Sequence, residues 1–343
     1  MRFDFDIIWK KVKLGEILKI KSGMDQKKIE TSDGKYNIYG TSGIIGKTNT
    51  PIYSKESVGI GRKGTIDKPF YFNEPFWTVD TLFYSEIKSH HVKFIYYLFQ
   101  TINWKFYNQS TGVPSLTSSV IENININIPS SLEEERKIAD FLSEIDERIS
   151  TQKKILGELE SLKNKINTDI YNKIEFNKKC KLKELCSITT GKLDANAMVA
   201  NGKYRFYTCA ENFYYINNYD FDGEALLISG NGANVGYIHY YNGKFNAYQR
   251  TYVLQNFKLN AKYINVFLNV FLKHRVEQQK NNGNTPYIKM ATLSEMTILI
   301  PSIEEQNNII SINDLLNEKI SNEKKILSLY DKQKQYLLSK LFI

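Results

Sequence analysis

Cysteine is scarce, and badly placed for its usual structural roles. The three in 343 residues, Cys180, Cys186 and Cys209, are an odd number with no CxxC pair, which excludes a disulfide framework or a zinc site as the basis of the fold. Histidine is equally sparse. Of the four, His90 and His91 are adjacent, and neighbours on a helix point about 100° apart, a poor arrangement for sharing a metal ion. Long apolar runs are missing too: the stretches from Phe94 to Phe99 and from Val266 to Leu272 are too short to span a bilayer. The first twenty residues carry Arg2, Asp4, Asp6 and several lysines where a secretory signal would have an unbroken apolar segment. These absences predict a cytoplasmic chain with no membrane partner and no metal of its own.

Catalytic signatures are lacking as well. There is no Walker A lysine loop, no HExxH and no GxSxG. Gly59, Gly61 and Gly64 spell GxGxxG, with Asp80 at a suitable distance, but Pro69 and a Phe/Tyr-rich stretch follow where a dinucleotide-binding helix should begin. These glycines read as a turn. The acids Glu133 to Glu135 fall in a helical first turn, where they complement the dipole. The chain is therefore expected not to be an enzyme.

What the chain does have is charge in two places. The net charge is +9. Residues 1–131 carry 17 Lys+Arg against 12 Asp+Glu and residues 181–301 carry 13 against 8, whereas 132–180 (10 against 11) and 302–343 (6 against 6) are balanced. Two basic, aromatic-rich compartments suit a polyanion, because phosphate neutralisation supplies much of the affinity of nucleic-acid binders.

The sequence is also written twice, at a spacing of about 168 to 172 residues. KLGEILKIKSG from Lys13 returns as KLKELCSITTG from Lys181, and KYNIYG from Lys35 as KYRFYT from Lys203. WTVDTLFY from Trp77 returns as AYQRTYVL from Ala247. The loop around Thr111, Gly112 and Pro114 matches Asn284, Thr285 and Pro286, and IPSSLEEERKIADFLSEID from Ile128 matches IPSIEEQNNIISINDLLN from Ile300. Each copy starts with short alternating segments broken by Gly, Asn and Asp, which read as strands and turns. One amphipathic helix interrupts them, carrying Val92, Ile95, Leu98, Ile102 and Phe106 in the first copy and Ile264, Phe267, Leu268 and Phe271 in the second. After Pro129 and Pro301, Ser131 with Glu134 and Ser302 with Glu305 read as capping boxes opening a helix.

Those helices keep a coiled-coil rhythm that wants a partner helix. The seam runs through Ile145, Ile149, Gln152, Leu156, Leu159, Lys163, Ile166 and Ile170 in one copy, and Leu316, Ile320, Glu323, Leu327, Tyr330, Lys334, Leu337 and Leu341 in the other. An antiparallel pairing about a pseudo-twofold between Leu156 and Leu159 sets Lys163 opposite Glu323 and Gln152 opposite Lys334. A parallel pairing sets Lys163 beside Lys334, which is repulsive. A helix of roughly 40 residues spans about 60 Å, long enough to hold two domains on half-sites a helical turn or more apart. The expected architecture is α+β, with two pseudo-repeated β-rich domains (1–131 and 179–301) separated by two long antiparallel coiled-coil helices (132–178 and 302–343).

Trp9 with its KLGEI-type opening, a β-rich domain, then IPxxxEE and a long helix, all repeated once over essentially the whole chain, resembles the specificity subunit of type I restriction-modification systems. The resemblance implies two target recognition domains that read a bipartite double-stranded DNA site, with two DNA-methyltransferase subunits and the restriction (translocase/endonuclease) subunits as partners. It implies no cofactor on this chain, with S-adenosylmethionine, ATP and Mg2+ held by those partners. Two positions depart from the pattern: Glu135 stands where the family usually has the Gln seen at Gln306, and Asn317 stands where it has the Asp seen at Asp146. The targeting subunit of a type II system with bipartite sites is an alternative. So is a protein scaffold, although a scaffold gives no reason for basic surplus in both domains.

Candidate DNA-contacting residues come from equivalent loops of the two copies. Arg62 and Lys63, with Asn231 and Asn234, suit phosphate and base-edge contacts respectively. Gln109, Ser110, Thr111 and Gly112, with Asn282, Gly283, Asn284 and Thr285, form amide- and hydroxyl-rich loops, and Gln and Asn pair bidentately with adenine. Tyr36, Tyr39, Thr41 and Ser42, with Tyr204, Tyr207, Thr208 and Asn212, are further candidates. Trp77, Thr78 and Asp80, with Tyr248, Gln249 and Arg250, complete the set.

Overall fold

Alternation in Trp9–Lys13 and Asn125–Pro129 ties the two ends of the first repeat's β-rich part together: the strands pair antiparallel, Trp9 opposite Pro129. The computed structural model describes residues 8–278 and 287–342. The chain divides into two compact units, residues 1–154 with 325–343, and residues 155–324. Each unit combines the β-rich part of one repeat with a segment of both long helices.

In the first unit a four-stranded antiparallel sheet has the order Leu18–Ser22, Leu82–Ile87, Ser57–Gly61, Phe70–Phe72. A second sheet has the order Glu30–Thr31, Gly43–Thr48, Tyr36–Gly40, Phe76–Thr78, its last pair parallel. The second unit repeats this plan. Lys178–Lys181 pairs with Thr297–Ile300, a four-stranded sheet has the order Ser187–Thr190, Thr251–Gln255, Glu224–Ser229, Ile238–Asn242, and Tyr204–Tyr207 runs parallel to Phe245–Ala247. The sequence repeat is thus a repeat of strand pairings.

The motifs that mark the repeat have local causes. In the KLGEI and KLKEL openings, Lys13 N donates to Glu16 Oε1 (2.7 Å) and Lys181 N to Glu184 Oε1 (3.3 Å), so the glutamate caps a single helical turn. The glycine that closes each motif is a close approach. A Cβ on Gly23 would sit 2.1 Å from the Val79 carbonyl oxygen, and one on Gly191 would sit 1.9 Å from that of Ala247, so no larger residue fits.

The amphipathic helices Val92–Thr101 and Ala261–Gln278 bury their apolar faces in the cores, Phe94, Ile95 and Leu98 in one unit and Ile264, Phe267 and Leu268 in the other. The long helices, Leu132–Lys173 and Ile303–Leu341, begin at the expected caps: Ser131 Oγ accepts from Glu134 N (3.3 Å), and Ser302 and Glu305 are joined by three bonds. Glu135, 1% exposed, is held at this start by His90 Nδ1 on Oε1 (2.7 Å) and His91 N on Oε2 (2.9 Å). Its counterpart Gln306 donates to Pro301 O (3.1 Å). The second repeat has Leu259 and Asn260 where the first has the two histidines, so the acid and its basic partner changed together.

Within each unit the helix segments run antiparallel, as expected, but the register differs. Lys163 Nζ donates to Asn317 Oδ1 (2.7 Å) instead of meeting Glu323, and Lys334 Nζ bonds Asp146 Oδ1 (2.6 Å) instead of meeting Gln152. Asn167 and Asn313 exchange amide hydrogen bonds in the same register. Gln152 and Glu323 are buried, and Glu323 is bonded by Lys319 one turn earlier (2.6 Å). The expectation matched apolar layers along the seam. The observed register is the one that seats the helix C-termini: Leu337, Leu338 and Leu341 enter the first core with Phe342 against Phe94 (5.2 Å), and Tyr171 enters the second against Phe267 (5.4 Å) and Phe271 (5.2 Å).

Tyr171→Ala is expected to destabilise the chain by about 3 kcal/mol or more, the range for emptying a buried aromatic site, and Phe342→Ala by less, because Phe342 is only partly buried; chemical denaturation measures both. Lys163 provides a pH test. Burial holds its ammonium below the ordinary lysine value of 10.5, so the folded state binds fewer protons than the unfolded one between the two values, and stability rises with pH across that window. Asn317→Asp supplies a carboxylate to the amine, and denaturation midpoints in a pH series should lose that alkaline rise.

Candidate nucleic-acid interface

Three segments meet at one edge of each unit: the turn after the inner strand of the large sheet, the turn before its next strand, and the stretch that precedes a short helix. In the first unit Arg62 N donates to Thr81 O (2.8 Å), Leu116 N to Arg62 O (2.9 Å) and Gly64 N to Pro114 O (2.8 Å), and Lys63 bridges Ser115. In the second, Gly230 N donates to Arg250 O (2.9 Å), Ile288 N donates to Gly230 O (2.9 Å), and Asn231 bridges Tyr287. These bonds correspond pairwise. They place Lys63 where Asn231 stands and Thr81 where Arg250 stands, one residue off the sequence match of Trp77 with Ala247; Asp80 therefore corresponds to Gln249.

The junction in the first unit gathers Arg62, Lys63, Asp80 and the 109–112 loop. Arg62, Lys63, Asp80, Gln109, Thr111 and Gly112 are exposed and Ser110 is half-buried. Arg62 Nη1 donates to Asp80 O (3.3 Å) and its guanidinium lies 5.9 Å from the Phe83 ring. Thr41 lies beside Gly64, and Ser42 next to it is exposed. The loop is pinned by Asn108, whose Oδ1 accepts from Ser110 N (3.1 Å) and Ser115 N (2.9 Å) while Nδ2 donates to Ser110 O (2.8 Å). The sequence reading passed over Asn108, although a side chain that bonds the backbone two residues on is a known turn former.

Other candidates are wholly or partly buried, which departs from the expectation that they face a ligand. Tyr39 packs edge-on to Phe72 (4.9 Å), Trp77 is buried with Nε1 donating to Met24 O (2.9 Å), and Thr78 is buried. Tyr36 is half-buried with Lys35 Nζ 5.3 Å from its ring. Alternation alone does not account for this: Trp77 and Thr78 are neighbours on one strand and both are buried, so the strand is covered on both faces.

The second unit brings Asn231, Gln249 and Arg250 around a cleft of about 260 Å³, with Thr190, Tyr252 and Tyr287. Gln249 and Arg250 are exposed. Their backbone is fixed, since Gln249 N donates to Leu193 O (2.9 Å) and Arg250 O also accepts from the Cys209 thiol (3.4 Å). Tyr287, 49% exposed, is a lining residue that sequence reasoning missed; only its alignment with Ser115 in the repeat marks it. Asn234 Nδ2 bonds Cys209 O (3.3 Å), and Asn212 is exposed. Tyr248 is half-buried, tied by its N–H to Tyr207 O (2.9 Å). Tyr204 packs on Tyr219 (4.9 Å). Tyr207 and Thr208 are buried; Tyr207 accepts from Arg205 Nη1 (3.3 Å), whose guanidinium sits 4.2 Å from the Phe213 ring and 4.5 Å from that of Tyr241. Asn282, Gly283, Asn284 and Thr285 lie outside the described residues.

Two groups of the second unit are shifted by burial. Burial pushes His239 below the ordinary histidine value, and its Nε2 lies 2.9 Å from the Ala210 carbonyl oxygen. Burial pushes the Cys186 thiol up to about 12, so it stays protonated. Among the described residues no helix is long and apolar enough to cross a membrane.

Comparison with known proteins places this architecture. The family model of the type I restriction modification DNA specificity domain matches the chain twice, over residues 7–161 and 173–329. The chain is 37% identical over 147 residues to the type I restriction enzyme EcoDI specificity subunit of Escherichia coli, covering 43% of this chain and 32% of that protein. It is 32% identical over 164 residues to a putative type I specificity subunit of Mycoplasma pneumoniae, covering 46% of this chain and 44% of that one. The matched part is therefore less than half the length of either relative. The crystal structure of a type I restriction-modification system S subunit from M. genitalium superposes over 100% of this chain and 98% of its own, with a TM-score of 0.66 at 19% identity. A chain from a structural study of complex assembly and conformational transition in the type I system gives 0.56 at 14% identity, over 98% of each. At such identities the likeness is one of fold.

Replacing Asn108 by Ala removes three bonds that shape the 109–115 loop. Net values of about 0.5–1.5 kcal/mol per bond predict faster amide exchange confined to that loop, read by hydrogen–deuterium exchange, with the sheet amides unchanged.

Proposed function

We propose a function for this chain from the family it belongs to, that of type I restriction-modification DNA specificity proteins. The family supports a role in DNA sequence specificity, and the finer reading is that each repeat reads one half of a bipartite double-stranded DNA site with its three-segment junction. The observation that carries it is that junction: the same backbone bonds recur in both units, while the side chains they present differ, Arg62, Lys63 and Asp80 in one and Asn231, Gln249 and Arg250 in the other. A common frame with unlike exposed polar groups suits two unlike half-sites.

Cations at both junctions supply the sequence-independent attraction to phosphate, and amides and a carboxylate supply groups that hydrogen-bond base edges. The long helices, each of which begins in one unit and ends in the other, are the elements to fix the gap between half-sites. In this reading the chain performs no chemistry. It directs two methyltransferase subunits and the restriction (translocase/endonuclease) subunits, which hold S-adenosylmethionine, ATP and Mg2+. The candidate contacts in the 109–112 loop and at Thr41, Ser42 and Asn212 belong to the same proposal.

Equilibrium binding of the full chain to random-sequence duplex, titrated with salt, tests the DNA role. The logarithm of the affinity is expected to fall linearly with the logarithm of salt concentration, and Arg62→Ala with Lys63→Ala should each lower the slope by about 1 if each neutralises one phosphate. Binding that ignores salt would favour a protein scaffold instead.

A further inference from the structure

Asp80 and Thr81 of the first unit occupy the same two backbone positions as Gln249 and Arg250 of the second. Two hydrogen bonds bracket each pair. Before it, Val79 N donates to Tyr39 O (3.0 Å) and Tyr248 N to Tyr207 O (2.9 Å); at its second residue, Thr81 O accepts from Arg62 N (2.8 Å) and Arg250 O from Gly230 N (2.9 Å). We propose that this dipeptide sets the base preference of each half-site: Gln249 and Arg250 read an adenine and a guanine in one, and Asp80 reads a cytosine in the other. The inference deepens the DNA reading above and rests on it.

The chemistry singles out these bases. A guanidinium pairs bidentately with guanine O6 and N7, a carboxamide with adenine N6 and N7, and a carboxylate accepts from cytosine N4. Specificity needs groups held in place by their surroundings, and here the main chain is fixed while the ends are exposed. Gln249 N is bound by Leu193 O (2.9 Å), and Arg250 O accepts from both Gly230 N and the Cys209 thiol. The two residues stand at a concave cleft, not on a convex surface, with Asn231 and Tyr287 on its wall. Among the described residues the Arg250 guanidinium has no hydrogen bond or ion pair.

Asp80 makes the sharper case. A carboxylate on a DNA-facing edge is repelled by every phosphate nearby, so it has a use only where a donor meets it, and base edges offer one in the cytosine amine. Arg62 and Lys63 flank it: Arg62 Nη1 lies 3.3 Å from Asp80 O, and the N–H groups of both residues bind the next carbonyl, that of Thr81. They offset the repulsion while leaving the carboxylate exposed.

Selection from a pool of random-sequence duplexes by the full chain, followed by sequencing, tests the assignment. The wild-type chain should enrich two unlike blocks. Arg250→Ala and Arg250→Lys should both relax a single guanine position of one block, by about 10- to 100-fold in preference, with Lys restoring affinity but not discrimination. Asp80→Asn should relax a single cytosine position of the other block and leave the first untouched, and Gln249→Ala should relax an adenine adjacent to the guanine. Enrichment that keeps its motif in the variants while affinity falls uniformly would mean phosphate contacts and overturn this inference alone. Failure of the wild-type chain to enrich any sequence would overturn the DNA reading beneath it.

Discussion

The seating of each long helix's C-terminal end in a β-rich core is the constraint on which the rest of the fold depends. The strands and the short amphipathic helix of one repeat leave an apolar face open, and in each unit it is covered by two antiparallel helix segments. The first core takes Leu337, Leu338 and Leu341 together with Ile138, Leu142 and Ile145, and the second takes Tyr171 together with Ile309 and Ile310. Burying such side chains is worth about 1.5–3 kcal/mol each, and the several anchors of each core together outweigh the few charged contacts along the helices, each of similar size, so the anchors decide the register and the polar groups accommodate it. Lys334 finds Asp146 and the Tyr97 ring, and Lys163 finds Asn317. Asp146 also accepts from the Tyr97 hydroxyl (2.9 Å), tying the helix pair to the amphipathic helix of its own unit.

This hierarchy explains which features were legible in the sequence. The duplication, the strand-rich domains and the antiparallel long helices were readable because each rests on periodicity or on self-similarity, which need no tertiary information. The helix register was not. It was inferred by matching layers along a seam, and Lys163 and Lys334 looked like interruptions in search of Glu323 and Gln152. What fixes the register lies at the helix ends, in contacts of Tyr171 and Phe342 with residues about 90 to 250 positions away, and a heptad pattern contains no trace of them.

The candidate interface was legible to a similar depth. The loops around Arg62, Asn231 and Gln249 were found because Gly-, Asn- and Gln-rich turns stand out against alternating strands, and the fold does bring them to one edge in each unit. Trp77, Thr78, Tyr207 and Thr208 were drawn from the same stretches but are buried, because these short strands are covered on both faces, which alternation along a single strand does not reveal. Asn108 was missed for another reason. Its role is to bond backbone, and it stands one position outside the amide- and hydroxyl-rich stretch picked for contacts.

The two departures from the family pattern follow from the same physics and separate the parts of the chain that must stay alike from those free to differ. Glu135 is tolerable at 1% exposure because His90 and the His91 amide saturate its carboxylate, whereas Gln306, without a histidine partner, bonds Pro301 O instead. Asn317 replaces an acid whose twin, Asp146, must accept from two donors, Lys334 and Tyr97. Val266 stands where Tyr97 does in the other repeat, so one of those donors is gone, and the amide suffices for Lys163. In both cases the backbone position is kept and the side chain follows its neighbours. At the loop edges no such neighbour constrains the tip of Asp80 or Arg250, and the backbone bonds that hold these residues accept any side chain. Interior pairs therefore have to change together, while exposed tips can change one at a time without cost to the fold, which is the freedom a reading surface needs if its two halves are to differ.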